Sequence, residues 1–170
     1  MTALKNTLQW LLEWVTILLM IGLTTIVVIA VIARLMGESF SWYDEVAAIG
    51  LAWVTYYGAA LAALKRRHIG FDSVLLAMPQ KVRVAVAMIG ELVILAFFIL
   101  LAWAGMEVLD VLEGDMLVSL DWVPIQFTQS VIPIGAILFI ICQLVSMPEY
   151  LRTVRDGISL EHPELHEEAS

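Results

Sequence analysis

Four long apolar stretches constrain this chain more than any other feature of its sequence. They cover residues of about 12–33, 46–64, 84–106 and 123–147. The first is free of charge from Val15 onward, the second and fourth throughout, and the third contains one charged residue, Glu91. Each is close to the roughly 20 residues that a helix needs to cross about 30 Å of hydrocarbon. Because a helix satisfies its own backbone hydrogen bonds in lipid, the sequence predicts an all-α membrane protein with four transmembrane helices.

Composition excludes several classes of protein. The chain of 170 residues is 61% hydrophobic and 15% charged, and its net charge of -8 leaves no basic excess for binding nucleic acid. A single cysteine, Cys142, cannot form an intrachain disulfide or a cysteine-based metal site. All three histidines lie outside the apolar stretches, which disfavours a haem-binding bundle, and no nucleophile–base motif is present. We therefore expect a protein that is not an enzyme, has no cofactor and does not bind nucleic acid.

The basic residues predict how the helices are oriented. Lysine and arginine accumulate in cytoplasmic loops, and eight of the nine in this chain lie in the N-terminal segment, the middle loop and the C-terminal tail. The remaining one, Arg34, precedes the second span. We therefore expect both termini and the middle loop in the cytoplasm. The first apolar stretch exceeds the roughly 7–15 residues of a signal-peptide core, so we interpret it as a retained span.

Two segments outside the spans have their own patterns. In the middle loop, Asp72 or Ser73 could cap a short helix that ends at Pro79 and lies along the inner membrane interface. An ordinary amphipathic loop is the alternative. The tail, residues 151–170, is acidic, and we expect it to be cytoplasmic and to lack stable structure.

Glu91 is the sharpest local feature of the spans. A carboxylate within the hydrocarbon of a membrane costs a few kcal/mol or more unless it is paired, protonated or hydrated. It could form a proton or ion site, or it could bond to polar groups on a neighbouring helix or a partner subunit. We favour the second interpretation because no basic residue lies inside any of the four apolar stretches.

Residues at the ends of the first two spans suggest an ion pair. Arg34 follows the first apolar stretch and Glu45 precedes the second, so opposite charges stand at adjacent helix ends. Glu45 also lies near a helix N-terminus, where the helix dipole favours negative charge. We predict that the two side chains approach within hydrogen-bonding reach as a structural contact.

Small and polar residues within the spans indicate helix packing. Small side chains let helices approach closely in lipid, and in the second span they predict an interhelical seam. The polar start of the fourth span precedes Pro133, which permits a kink, and Gly135. That start could line a substrate path or form a buried hydrogen-bond network, and the sequence does not decide between them. The seam residues are Ala48, Ala52, Thr55, Gly58, Ala59 and Ala62, and the polar ones are Gln126, Thr128, Gln129 and Ser130.

Several local patterns in order along this frame resemble a known family, the DctQ-like small membrane subunit of tripartite ATP-independent periplasmic (TRAP) transporters. The similarity extends over roughly residues 16–150. The matching residues are Ser41-Trp42-Tyr43-Asp44-Glu45, Trp53, Gly58-Ala59-Ala60, Lys65-Arg66-Arg67-His68-Ile69, Asp72 and Ile132-Pro133-Ile134-Gly135.

The resemblance implies a role in the bacterial inner membrane. It implies a scaffold for a large membrane subunit that carries the substrate and sodium sites, supplied with an organic acid or related solute by a periplasmic solute-binding protein. Membrane lipid would cover the remaining surface. The ten residues Arg34, Trp42, Glu45, Trp53, Gly58, His68, Asp72, Glu91, Pro133 and Gly135 are then candidates for structural or partner contacts, and none for substrate or metal binding.

A self-sufficient homo-oligomeric transporter or channel is the alternative. Its best feature is Glu91, which would act as the coupling carboxylate. Against it, the spans contain no paired glycine and proline interruptions of the kind that mark transport sites, and no inverted repeat is visible.

Overall fold

The computed structural model describes residues 2–66, 75 and 78–157, and these form an almost entirely helical chain. Four segments are long and apolar enough to cross a membrane, which confirms the predicted all-helical class with four candidate spans but does not test the orientation of the termini. The fourth consists of two helices separated at Ser130. The helices are α1 (Thr2–Leu35), α2 (Tyr43–Lys65), α3 (Gln80–Val111), α4 (Ile125–Gln129) and α5 (Val131–Asp156).

Two predicted segments lie largely outside the residues that the structure describes. The predicted interfacial helix of the middle loop, including His68 and Asp72, lies outside the described residues, apart from its last positions. The acidic tail beyond Gly157 does so too. Both stay predictions.

The helices form a row rather than a closed bundle. Among the described helices, α2 packs against α1 and α5, and α5 packs against α2 and α3. The spatial order is therefore α1–α2–α5–α3, with α1 and α3 at the ends. A buried core lies where α1, α2 and α5 meet, formed by Leu12, Ala60, Ala63, Leu64, Phe139 and Cys142.

Glycine brings α5 close to both of its neighbours. A Cβ built on Gly135 would lie 2.7 Å from the Cβ of Tyr56 in α2, closer than real Cβ contacts allow. On the other side, a Cβ on Gly105 of α3 would lie 3.0 Å from the Cδ of Pro133. Pro133 stands in the first turn of α5, where a missing N–H breaks no hydrogen bond within that helix. The interruption expected from this proline therefore lies just before it, at Ser130.

The predicted small-residue seam of α2 faces its neighbours only in part: Ala59 packs against the core, but the fully buried residues lie elsewhere. Ala60 and Ala63 are fully buried, whereas Ala48 and Thr55 of the predicted seam are exposed. A Cβ on Gly58 would meet nothing within 4 Å. The actual seam is offset by one residue, or about 100° around the helix, because α5 packs on the face of Ala60 and Ala63.

Candidate functional site

At the end of α2, the side chain of Arg66 extends back between the helices of the row. Arg66 follows the last residue of α2 and adopts a left-handed conformation, with φ of 52°. Its backbone N–H caps the helix by donating to the carbonyl oxygens of Ala62 and Ala63. Glycine is the usual residue in this position because a side chain makes the conformation costly. Here the position holds an arginine whose side chain has buried partners.

These partners form a polar network between α2, α3 and α5. Both terminal nitrogens of Arg66 donate to the Glu91 carboxylate, and one of these contacts, from Nη2 to Oε2, measures 3.2 Å. Gln143 donates to the same Oε2 at 2.6 Å. Arg66 Nε donates to Ser146 Oγ at 2.8 Å, and the Tyr150 ring lies 4.6 Å from the guanidinium carbon. The Arg66 and Glu91 side chains are only 13% and 5% exposed.

Ser146 connects the network to the backbone. Its hydroxyl oxygen lies 3.1 Å from the Ala63 carbonyl of α2 and 2.9 Å from the Cys142 carbonyl of its own helix. One hydroxyl proton can serve only one of these acceptors at a time, while the oxygen accepts from Arg66. Arg66 Nη2 also donates to the Gln143 carbonyl at 3.1 Å. The arginine is thus fixed to α5 as well as to α3.

The chemistry of the network is that of a buried ion pair with its hydrogen-bonding groups engaged. A charge buried in a membrane segment is costly unless it is paired, and Glu91 has a cation and an amide donor on its two oxygens. A carboxylate that carries protons or ions must release its partners during each cycle. The geometry therefore favours a structural role, with Glu91 bonded to neighbouring helices.

Sequence reasoning missed Arg66, Gln143 and Ser146 as partners of Glu91. Arg66 follows the apolar stretch of the second span, so it counted as a basic residue of the middle loop and of the family motif, not as a partner of Glu91. A usable signal was present in the fourth span. Gln143 and Ser146 are three residues apart in a long apolar run, so they lie on one face of a helix.

The predicted ion pair between Arg34 and Glu45 is wrong. Glu45 accepts hydrogen bonds from the Ser119 hydroxyl, from the Ser119 backbone N–H at 2.9 Å and from the Val118 backbone N–H at 3.3 Å. Arg34 is exposed and forms no ion pair within the described part of the chain. The loop between α3 and α4 offers Glu45 several hydrogen-bond donors that would otherwise need acceptors. Arg34, in contrast, stays exposed to solvent.

Trp53 ties α2 to α4. Its indole N–H donates to the Thr128 carbonyl at 3.0 Å, and its ring centre lies 5.5 Å from that of Phe127. At the start of α2, Trp42 stacks on Phe40 with ring centres 5.5 Å apart. The Trp103 side chain of α3, in contrast, is 63% exposed and has no such packing role within the described chain.

The polar start of the fourth span bonds within the chain. Gln126 donates to the Leu109 carbonyl of α3 at 2.8 Å. The hydroxyls of Thr128 and Ser130 donate to carbonyls of their own helical turn at 2.8 Å and 2.7 Å. These contacts favour a hydrogen-bond network over a substrate path. The described residues also contain no group of three or more histidine, cysteine, aspartate or glutamate side chains that could hold a metal ion.

Comparison with known families agrees with this architecture. The family profile described as tripartite ATP-independent periplasmic transporters, DctQ component, matches residues 23–153. The chain belongs to the DctQ family. The family match confirms the resemblance drawn from the sequence motifs, and it makes the chain a component of a transporter rather than an enzyme. A search of curated proteins finds no match.

The match contains the whole network of this DctQ chain. Arg66, Glu91, Gln143, Ser146 and Tyr150 all lie within residues 23–153, as do the residues on which the resemblance rested. A DctQ component works as part of a transport system with further members.

Proposed function

We propose that this DctQ chain is the fixed scaffold of a sodium-driven TRAP transporter. It packs against the large membrane subunit, which carries the substrate and sodium sites, in the bacterial inner membrane with both termini in the cytoplasm. A periplasmic solute-binding protein delivers an organic acid or related solute to the assembly. The chain itself does not bind the solute.

The open row of helices carries this proposal. In the most hydrophobic window of each span, only 6% of α1, 11% of α2 and 11% of α3 is buried within the chain, against 44% of the fourth span. A row encloses no channel between its helices. A groove between α1 and α2 is lined by apolar side chains such as Leu18, Ile26 and Ile49. A solute path needs polar lining, which this surface does not offer.

The Glu91 network argues against the homo-oligomeric alternative. A coupling carboxylate must be reached by an ion or proton, and it must change partners during the cycle. Both oxygens of Glu91 are engaged by Arg66 and Gln143, and the side chain is only 5% exposed. No described contact links this carboxylate to a groove.

Reconstitution of the separate components tests the proposal. The chain, the large subunit and the binding protein are purified and combined in proteoliposomes, with a labelled solute chosen by its binding to the binding protein. We expect uptake only when all three are present together with an inward sodium gradient. Uptake by the chain alone, or undiminished uptake without it, would overturn the scaffold role.

A further inference from the structure

A basic patch lies where α3 begins and α5 ends, away from the Glu91 network. We define it by Lys81, Arg83, Arg152 and Arg155, of which all but Arg83 are exposed. Arg83 Nη2 and Gln80 Nε2 both donate to the Arg155 carbonyl, at 3.0 Å and 3.2 Å. These bonds hold the two helix ends together, so the four cationic residues lie at the same end of the helix row.

Few described acids balance this charge. Arg155 Nε lies 3.4 Å from the Asp156 carboxylate, but the two side chains are 63% and 52% exposed, so the pair is weak. Glu149, one turn earlier in α5, pairs with Lys5 of α1 instead. The basic patch therefore keeps a positive excess among the described residues.

Arg83 has donor capacity that the chain does not use. Its Nε is buried and has no hydrogen-bond partner, and its Nη2 makes the contact to Arg155. A guanidinium presents its N–H groups as a planar fork that matches the oxygens of a phosphate. The first turn of α3 contains no acidic residue, so nothing there competes for the cation. Because Nε itself is buried, an anion with several oxygens would accept from the terminal nitrogens of Arg83.

The depth of the basic patch indicates which anion can reach it. With 32 residues at roughly 1.5 Å each, α3 is about 48 Å long and exceeds the roughly 30 Å of hydrocarbon. Residues 80–83 precede the apolar stretch that begins at residue 84, so they stand at headgroup level. Directly along the helix, Val82, Val86 and Ile89 are 48%, 42% and 62% exposed and share one face, which leads from the patch toward the membrane centre.

We propose that the basic patch binds an anionic phospholipid. The phosphate accepts hydrogen bonds from Arg83 and is attracted by the positive charges of Lys81 and Arg155. One acyl chain lies along the exposed valines of α3. Basic pockets between transmembrane helices recognise lipid headgroups by the same chemistry. The proposal goes beyond the scaffold role and needs no partner subunit, so the two can fail separately.

Native mass spectrometry of the purified full chain tests the proposal. Phosphatidylglycerol and phosphatidylcholine with identical acyl chains are titrated in detergent, and we expect tighter binding of the anionic lipid. Arg83→Gln and Lys81→Gln should each weaken phosphatidylglycerol binding about fivefold. Arg34→Gln removes an exposed charge that is far from the basic patch in sequence and should change the affinity less than twofold, within the scatter expected for a charge outside the site.

Two further variants keep the test decisive if Arg83→Gln lowers stability. Arg155→Gln removes a cation but keeps the backbone carbonyl that accepts from Arg83, so the helix contact is preserved. Asp156→Asn removes the one described acid of the surface and should tighten binding. Three results would each overturn the proposal. They are equal affinity for both lipids, an equal loss of phosphatidylglycerol affinity in Arg34→Gln, and displacement of the lipid by millimolar inorganic phosphate. The last result would show a site for free phosphate.

Discussion

Arg66, the residue that ends α2, forms a two-point ion pair with Glu91, which lies in the first half of α3. The pair is shared with α5 through Gln143 and Ser146, so one guanidinium holds three of the four spans in fixed relation. In lipid, apolar packing alone orders helices weakly because acyl chains compete for the same surfaces. A buried polar network specifies one arrangement, which suits a subunit that has to stay fixed.

Breaking the ion pair should destabilise the isolated chain. Glu91→Gln leaves the buried Arg66 charge without a counter-ion, and we expect a loss of about 3–5 kcal/mol in the free energy of unfolding. Unfolding in mixed detergent micelles measures it. The exposed Lys5–Glu149 pair is the matched control, and Lys5→Gln should cost less than about 1 kcal/mol. Equal losses in the two variants would contradict the prediction.

Removing both partners should cost less than the two single losses combined. In Arg66→Gln/Glu91→Gln no unpaired charge remains, so the double-mutant cycle should give an interaction energy of about 1–3 kcal/mol. The cycle uses the same unfolding measurement in micelles. Strict additivity would mean that the two side chains do not stabilise each other.

Transport should not depend on the charge of Glu91 once assembly is accounted for. In the reconstituted three-component system, we expect Glu91→Gln to lower uptake only in proportion to the amount of assembled complex. The measurement is initial uptake per complex, quantified by size-exclusion chromatography. Lost uptake with full assembly would assign Glu91 a coupling role and contradict the structural interpretation.

Two glycines should respond in opposite directions to alanine. Gly135→Ala places a Cβ 2.7 Å from Tyr56 and forces α2 and α5 apart, at a cost of about 1–3 kcal/mol. Gly58→Ala meets nothing within 4 Å and should gain up to about 1 kcal/mol from helix propensity. Thermal unfolding of the purified chain compares the two. If Gly58→Ala keeps the chain stable but weakens assembly, Gly58 is a contact for the large subunit.

Glu45 should order the loop between α3 and α4. Glu45→Gln replaces a charged acceptor of three donors by a neutral amide, and we expect the loop to open more often. Hydrogen exchange should speed up at the Val118 and Ser119 amides. Arg34→Gln is the control, and it should leave exchange unchanged. A matching effect of Arg34→Gln would restore the predicted ion pair.

The sequence predicts the four long apolar helices because hydropathy over about 20 residues is a local property. Side-chain pairing is different because it depends on the rotation of each helix and on the reach of long side chains. Arg66 reaches Glu91 from beyond its apolar stretch, and the seam of Ala60 and Ala63 differs from the predicted one by a single residue. Gly135 could be identified from its motif, but its contact with Tyr56 needs the fold.

The spatial order α1–α2–α5–α3 has a consequence for biogenesis. The helix that lies between α2 and α3 is the last one synthesised, so Glu91 enters the bilayer before Gln143 and Ser146 exist. Until then, Arg66 is the only one of its partners already made. Insertion of the final span thus closes the core and completes the buried Glu91 network at the same moment. Ribosome-bound chains that end before residue 131 are accordingly expected to bind membrane chaperones rather than to form stable three-helix intermediates.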